Sequence, residues 1–223
     1  MKHEGGSCAP RAMRFNVAAH PSRAERTIHL CFLAILTLLV SSCVTPDTRH
    51  HVVVSIPEQR LALLDNGKLL ATYPVSTSKF AIGDAPGSRG TPLGELEVAK
   101  KIGDGAALGT VFKDRRPTGE ILVPDAPGRD PIVTRILWLR GREAQNANAY
   151  GRYIYIHGTA EERSIGQRAS YGCIRMRSRD VIQLYDIVGP QARVTILNQP
   201  LASMVPGLAP APGSGGTTAV SSQ

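Results

Sequence analysis

The sequence predicts a mostly β fold, a sandwich or barrel with one short helix. Short segments rich in β-branched and apolar residues recur along 51–198, and loops rich in Gly, Pro and Asp separate them. An Asn-Gly pair at 66–67 is typical of a tight hairpin between two such segments. With 42% hydrophobic and 20% charged residues, the chain has the composition of an ordinary globular protein.

The predicted β segments are bounded by turn-forming residues on both sides. They lie at 51–56, 60–65, 68–76, 93–100, 107–113, 120–123, 132–139, 152–157 and 192–198. A helix is predicted at 179–188, with Ser178 as its N-cap, Asp180 near the positive end of its dipole and Gly189 as its stop. Its apolar residues would cover the sheet and hold the preceding turn in place.

The first 43 residues have the pattern of an export signal. Several arginines precede the apolar run IHLCFLAILTLLV (28–40), which small residues follow. A bilayer-spanning helix takes about 20 residues, so we predict a cleaved leader rather than a permanent helix. The ending Val-Ser-Ser-Cys resembles a bacterial lipobox, in which Cys43 becomes the lipid-modified first residue of the mature protein. A chance cysteine after an ordinary cleavage site is the alternative.

We therefore divide the chain into a leader (1–43), a tether (44–50), a folded domain (51–198) and a disordered tail (199–223). The tail carries no charge and is rich in Pro, Gly and Ser. The mature product is expected to be an exported, periplasmic monomer anchored by lipid to the inner or outer membrane.

Cysteine and histidine counts single out one residue of each kind. Two cysteines lie in the leader and Cys43 is the proposed lipid site, so Cys173 has no partner within the mature chain. His50 and His51 lie at the tether, which leaves His157 as the histidine inside the predicted fold. A cysteine and a histidine, each beside a glycine, are the minimal pair for a thiol nucleophile and its base. A buried structural cysteine and a structural strand-end histidine are the alternatives.

Two motifs carry a family resemblance. His-Gly-Thr at 157–159 and Ser-Tyr-Gly-Cys-Ile-Arg-Met at 170–176 resemble the L,D-transpeptidase catalytic domain, also called the YkuD domain. That family pattern is a His-Gly pair, a spacer and then Ser/Thr-His-Gly-Cys, and the stretch GTPLGELEV at 90–98 also resembles a family segment. The likeness covers about residues 50–198. Tyr171 departs from it, because the family usually has histidine there.

The resemblance implies a cysteine-dependent acyl transfer. Cys173 would attack a stem-peptide carbonyl as a thiolate, favoured by a neighbouring imidazolium, to give a thioester. His157 would act as base and acid, with the carbonyl of Gly158 orienting its ring. Amide groups at Gly172 and Cys173 would form the oxyanion hole. Gly172 would also leave room for the approaching carbonyl.

Three neighbours of the cysteine have two readings each. Ser170 would orient the site through its hydroxyl, or it would stabilise the turn. Tyr171 would donate a hydrogen bond to substrate, or it would merely pack. Arg175 would bind a substrate carboxylate, or it would be a surface charge or an ion pair.

Charge and ligand counts limit the other partners. One Cys, one His and the nearby Glu161 and Glu162 could barely supply a zinc site, so neither a metal nor a cofactor is predicted. The net charge of +8 is spread over scattered residues, so nucleic-acid binding is not predicted either. Peptidoglycan stem peptides, which carry free carboxylates, are the expected partners.

Two other functions remain open from the sequence. A hydrolase of the same fold, an L,D-carboxypeptidase or endopeptidase, shares every step up to the thioester. A lipid-tethered wall-binding module with an inert cysteine is the alternative outside enzymes. Fast alkylation of the thiol at neutral pH, and acylation by carbapenems as the resemblance implies, would distinguish the enzymes from the module.

Overall fold

Strands dominate residues 45–208, the part of the chain that the computed structural model describes. The strands are β1 (His50–Ser55), β2 (Arg60–Asp65), β3 (Lys68–Pro74), β4 (Gly94–Ile102), β5 (Thr110–Lys113), β6 (Arg116–Ile121), β7 (Ile132–Gly141), β8 (Tyr155–Thr159), β9 (Ile174–Met176) and β10 (Arg193–Leu197). The helix α1 spans Ser178–Ile187. The prediction of a mostly β fold with one α-helix is confirmed for these residues.

The strands join in one sheet with the order β3-β2-β1-β10-β4-β7-β5-β6, and β8 and β9 branch from β7. The β1–β10 and β8–β9 pairs are parallel, whereas the other pairs are antiparallel. Strand β7 pairs with β4, β5 and β8. It therefore links the long part of the sheet to the short β8–β9 pair, which carries the predicted catalytic motifs.

The predicted hairpin at 65–68 is present between β2 and β3. Asn66 and Gly67 have φ values of 48° and 78°. Two left-handed residues in a two-residue turn match the right-handed twist of the flanking strands, which is why Asn-Gly favours this connection.

Helix α1 packs against β7 and β8. Val181, Leu184 and Tyr185 lie in the core on this face, and burying an aliphatic side chain of this size contributes about 1.5–3 kcal/mol. The helix begins one residue earlier than predicted, because Arg177 is the N-cap and Ser178 is already helical. Instead of a capping hydroxyl, the Glu162 carboxylate accepts the Ser178 backbone N–H at 2.8 Å.

The described part of the predicted tether is held on the domain. The Asp47 carboxylate accepts backbone N–H groups from Arg49 at 3.1 Å, His50 at 3.0 Å and Gly189 at 2.6 Å. Gly189 follows α1, so this carboxylate joins the start of the described chain to the end of the helix. The tether prediction is therefore wrong for the residues around Asp47.

The first part of the predicted tail is also packed. Leu201 and Val205, four residues apart, are buried against Val53, Ala62 and Leu64 of the first two strands. The apolar outer face of these strands requires a cover, and this segment supplies it. Disorder is thus a wrong prediction for 201–205.

The remaining predictions about the ends of the chain lie outside the described residues. They concern the leader at 1–43, with Cys43, and the tail beyond 208. Within 45–208, no helix has the length and apolar character needed to cross a membrane.

Candidate active site

His157 lies in the middle of β8, between two neighbouring strands. Its register partners are Ile136 on β7 and Arg175 on β9. The residue is buried, and its Nδ1 donates to the Gly158 carbonyl oxygen at 2.8 Å, the contact that the resemblance implied. Because a carbonyl only accepts, this bond places the proton of the neutral ring on Nδ1 and leaves the Nε2 lone pair as the basic site.

Gly158 allows β8 to approach β7 closely. A Cβ atom at this position would lie 2.6 Å from the Val133 carbonyl oxygen and 3.3 Å from Val181 Cγ1 on α1. There is no room for a side chain between the strand and the helix. The glycine is therefore required by packing, and that packing fixes the carbonyl that holds the His157 ring.

Cys173 directly precedes β9 and is half-buried. It packs against a cluster of apolar residues that consists of Phe112, Ile136, Trp138 and Tyr155. Its Sγ donates to the Tyr153 carbonyl oxygen at 3.4 Å. The thiol hydrogen bond thus goes to the backbone, not to the imidazole, in this arrangement.

The sheet brings His157 and Cys173 to the same face. His157 pairs with Arg175, and Cys173, two residues before Arg175, faces the same side. Ile136, the other register partner of His157, belongs to the cluster that Cys173 contacts. Adjacent strands lie about 4.7–4.9 Å apart, which keeps the start of β9 beside β8.

Burial keeps both groups uncharged. It raises the pKa of the Cys173 thiol to about 11, although a backbone hydrogen bond from Tyr155 and the charge of Arg175 act the other way. Burial also lowers the pKa of His157 to about 4, opposed by its bond to Gly158. Both shifts favour a neutral thiol and a neutral imidazole near pH 7. They oppose the predicted thiolate–imidazolium ion pair in the resting state.

Ser170 stabilises the turn that presents the cysteine. Its hydroxyl donates to the Cys173 carbonyl oxygen at 2.6 Å and accepts the Gly172 N–H at 3.2 Å. The structure favours the turn-stabilising alternative for this residue. Because the Gly172 N–H already has an acceptor, it would have to leave Ser170 to serve the predicted oxyanion hole.

The backbone conformation requires a glycine at position 172. Its φ is +123°, and a Cβ atom would lie 3.1 Å from the Gly90 carbonyl oxygen. Thr91 Oγ1 donates to the Gly172 carbonyl oxygen at 3.0 Å. The segment around Gly90, which carried part of the family resemblance, thus packs against the turn before Cys173 and supports it.

Tyr171 packs on the surface beside that turn. Its ring lies 5.1 Å from that of Phe80, centroid to centroid, and Lys79 Nζ is 4.9 Å from the Tyr171 ring. The side chain is 56% exposed. The structure therefore favours packing over a hydrogen bond to substrate for the residue that replaces the usual histidine.

Arg175 forms an internal ion pair. Its guanidinium is buried, with Nη2 at 2.7 Å from Asp130 Oδ2 and Nη1 at 3.8 Å from Glu161 Oε2. Its backbone exchanges two hydrogen bonds with Ser76, at 2.8 and 2.9 Å. The structure favours the ion-pair alternative, since this guanidinium is already engaged by carboxylates.

A cavity of about 300 Å³ lies beside the apolar cluster that Cys173 contacts. It is lined by Phe112, Asp114, Arg115, Ile132, Tyr153 and Tyr155. Two of these residues, Phe112 and Tyr155, also belong to the cluster that contacts Cys173.

Sequence reasoning missed Arg115 and placed Tyr153 wrongly. Tyr153 was expected on the strand with Tyr155 and His157, but it has a φ of 59° and belongs to the turn before β8. Its ring nevertheless lies 5.6 Å from that of Trp138. The aromatic residues clustered within 138–155 were the sequence signal that could have identified this part of the site.

Metal-ligating residues do not gather within 45–208. No group of three or more His, Cys, Asp or Glu side chains in this range could hold a metal ion. Glu162 caps α1 and Glu161 faces Arg175, so both have other partners.

Comparisons with known proteins point to one family. The model of the L,D-transpeptidase catalytic domain, YkuD, matches residues 49–196. The chain is 30% identical over 211 residues to "Probable L,D-transpeptidase YcfS" of Escherichia coli K12, which covers 90% of this chain and 62% of the relative. It is 31% identical over 173 residues to "Probable L,D-transpeptidase ErfK/SrfK" of Salmonella typhimurium LT2, over 74% of this chain and 50% of the relative. It therefore spans between half and two thirds of the length of these relatives.

A solved structure matches at lower identity. The L,D-transpeptidase from Mycobacterium smegmatis is 19% identical, with a TM-score of 0.44, over 67% of this chain and 58% of that one.

Proposed function

The chain belongs to the family of L,D-transpeptidase catalytic domains, and from that premise we propose that it transfers the acyl group of a peptidoglycan stem peptide through a thioester on Cys173. The observation that carries the proposal is the placement of Cys173 and His157 on one face of the β8–β9 pair, with Nδ1 of the imidazole held by Gly158. That arrangement leaves Nε2 free to accept a proton.

The reaction starts from the neutral pair. His157 Nε2 takes the thiol proton while Sγ bonds to the carbonyl carbon of an L-centre to D-centre peptide bond. The imidazolium then gives that proton to the departing D-alanine nitrogen as the C–N bond breaks, which leaves a thioester. An amine from a second stem attacks the thioester and gives its proton to His157. His157 passes this proton to Sγ as the C–S bond breaks, which restores the neutral thiol and the neutral imidazole.

The transition state needs a donor for the developing oxyanion. The Cys173 amide is the first candidate, because the Gly172 N–H is bonded to Ser170 in the resting state. Removing one such donor typically costs about 10²- to 10³-fold in rate. Water in place of the amine would give the hydrolase alternative, with the same thioester.

Product analysis tests this proposal. Purified protein is incubated with a stem tetrapeptide, with and without an amine acceptor, and the products are resolved by mass spectrometry. A crosslinked product supports transpeptidation, while a tripeptide alone identifies the carboxypeptidase. Cys173→Ala should give neither product while keeping the circular dichroism of the wild type. Equal product from Cys173→Ala would refute the role of the thiol.

Carbapenem acylation separates an enzyme from an inert binding module. The family resemblance implies a mass increase on Cys173 with such a compound. Plain alkylation is a weaker discriminator than the sequence suggested, because the pKa of about 11 leaves the thiol protonated at pH 7.

We also propose that the protein is exported and lipid-anchored through Cys43, which would bring the active site to the cell wall. The support is the leader pattern of residues 28–43. Cys43→Ala is expected to move the protein from the membrane to the soluble fraction after cell lysis. Retention of the variant in the membrane fraction would contradict the anchor.

A further inference from the structure

The β5–β6 hairpin carries Arg115 at its tip. Asp114 and Arg115 form the turn, with φ values of 49° and 65°. Two-residue turns with both φ values positive favour Asn, Asp or Gly at the first position and Gly at the second, so Asp114 fits this turn and Arg115 does not. Contacts made by the tip are therefore expected to help hold this conformation.

Aromatic rings provide those contacts. The guanidinium carbon of Arg115 lies 5.2 Å from the ring centroid of Trp138 and 4.9 Å from that of Tyr153. Both distances are in the range of cation–π attraction. The guanidinium also makes a side-chain hydrogen bond to Tyr155. The Arg115 guanidinium is thus held by ring contacts on its planar faces and by one N–H donor.

The remaining edge of this guanidinium has no carboxylate partner. Among the ion pairs of residues 45–208, none includes Arg115. A guanidinium has five N–H donors, and its planar fork matches a carboxylate in a bidentate pair. Arg175, for which the sequence left carboxylate binding and an ion pair both open, is paired with Asp130.

Arg115 belongs to the cavity near the proposed nucleophile. Arg115 lines that cavity together with Phe112 and Tyr155, which also belong to the cluster that Cys173 contacts. A peptide whose carbonyl lies at Cys173 would therefore pass within reach of Arg115.

We propose that Arg115 binds a free carboxylate of the donor stem peptide and so selects acidic donors over amidated ones. The inference rests on the proposed function, because it identifies the group by which that substrate is recognised. The carboxylate is the C-terminal one or one of the side-chain carboxylates of the stem.

Binding is measured without turnover in the Cys173→Ala protein. Trp138, the single tryptophan of the chain, lies under Arg115, so its fluorescence reports occupancy of the cavity. The probes are a stem tetrapeptide, versions with one carboxylate changed to a carboxamide, and a fully amidated version. Each is titrated against Cys173→Ala alone and against the same protein with a second substitution.

Arg115→Gln is expected to weaken binding of the acidic tetrapeptide by about 10- to 100-fold, the usual range for a hydrogen-bonded charge pair. Arg115→Lys should recover part of the loss, because it restores the charge without the bidentate fork. Arg116→Gln is the matched control, since it removes the same charge from the same hairpin at an exposed position. It should change the affinity by about twofold or less.

The amidated probes identify the carboxylate. The single amidation that abolishes the difference in affinity between the proteins with and without Arg115→Gln marks the group that is bound, and the fully amidated peptide should show no difference. An equal loss for acidic and fully amidated peptides would overturn the inference, since Arg115 would then only support the aromatic cluster. An equal loss in Arg116→Gln would also overturn it, in favour of a general field.

The two proposals fail separately. Arg115-dependent binding in a protein that forms no acyl-enzyme would refute the proposed function and keep this inference. Acyl transfer by the wild type without any effect of Arg115 on acidic donors would refute this inference alone.

Discussion

Replacing Arg152 by Met should strongly destabilise the protein, because it would leave a buried carboxylate without its cation. Arg152 Nη1 donates to Asp84 Oδ1 at 2.6 Å, and Nη2 donates to the Gly90 carbonyl oxygen at 2.8 Å. The two side chains are only 12% and 2% exposed. The other oxygen of Asp84 accepts the Asn148 N–H at 2.6 Å, so it stays bonded in the variant.

The size of the effect follows from this burial. Removing one partner of a buried pair typically costs about 3–5 kcal/mol, because the remaining charge loses its compensation. A natural protein has about 5–15 kcal/mol of unfolding free energy in total. For a chain of this length each kcal/mol lowers Tm by about 2–4 °C, so we expect a decrease of about 6–20 °C.

Urea unfolding followed by Trp138 fluorescence measures the change. The matched control is Arg163→Met, which breaks the ion pair with Asp125, whose partners are 68% and 41% exposed. Such a surface pair contributes about 0–1 kcal/mol. Adding Asp84→Asn to Arg152→Met should recover part of the loss, since it removes the orphaned charge. If Arg152→Met costs no more than Arg163→Met, the buried-pair reasoning is wrong.

Three further results are expected. The pKa of His157 is lowered to about 4 and that of Cys173 is raised to about 11. The pH profile of kcat/KM should therefore be bell-shaped, with an acid limb below pH 6.5, and both limbs belong to the coupled pair. An acid limb above pH 7 would contradict the neutral pair. Leu201→Ala should cost about 2–5 kcal/mol in urea unfolding, because Leu201 is fully buried, whereas a loss near zero would contradict its packing. Tyr171→His should change kcat/KM by less than about tenfold, an effect of no more than about 1.4 kcal/mol on the transition state, because Tyr171 packs against Phe80 on the surface; a larger loss would assign it a role in the reaction.

Local chemistry made part of the fold predictable. The Asn-Gly turn at 66–67 was found because each residue lowers the cost of a left-handed φ. The helix was found from its apolar spacing, although its N-cap was placed one residue late. That error arose because the capping group is Glu162, a side chain distant in sequence that no helix-start pattern includes.

The site was predictable only where a motif was continuous. His157 and Cys173 were proposed from their neighbours in sequence and from counting, and the strand register puts His157 opposite Arg175, two residues after Cys173. Long-range pairing decided the rest. Arg175 meets Asp130, which comes 45 positions earlier, and Arg115, in the β5–β6 turn, meets Trp138 on β7. Neither contact leaves a local trace in the sequence, so the two alternatives for Arg175 stayed open and Arg115 was not singled out.

The apolar spacing of the tail was visible but outweighed by composition. Leu201 and Val205 are four residues apart, yet the surrounding Pro, Gly and Ser favoured disorder. The outer face of β1 and β2 decides the outcome, because its apolar side chains would otherwise face water.

A single-turnover acylation experiment tests the central claim most directly. Wild type, His157→Gln and Cys173→Ala are mixed with a stem tetrapeptide, quenched at intervals and analysed by intact mass and peptide mapping. The account predicts an added tripeptide acyl group on Cys173 in the wild type, slowed by about 10²- to 10⁴-fold in His157→Gln and missing in Cys173→Ala. An acyl group on any other residue, or unchanged acylation without His157, would contradict it.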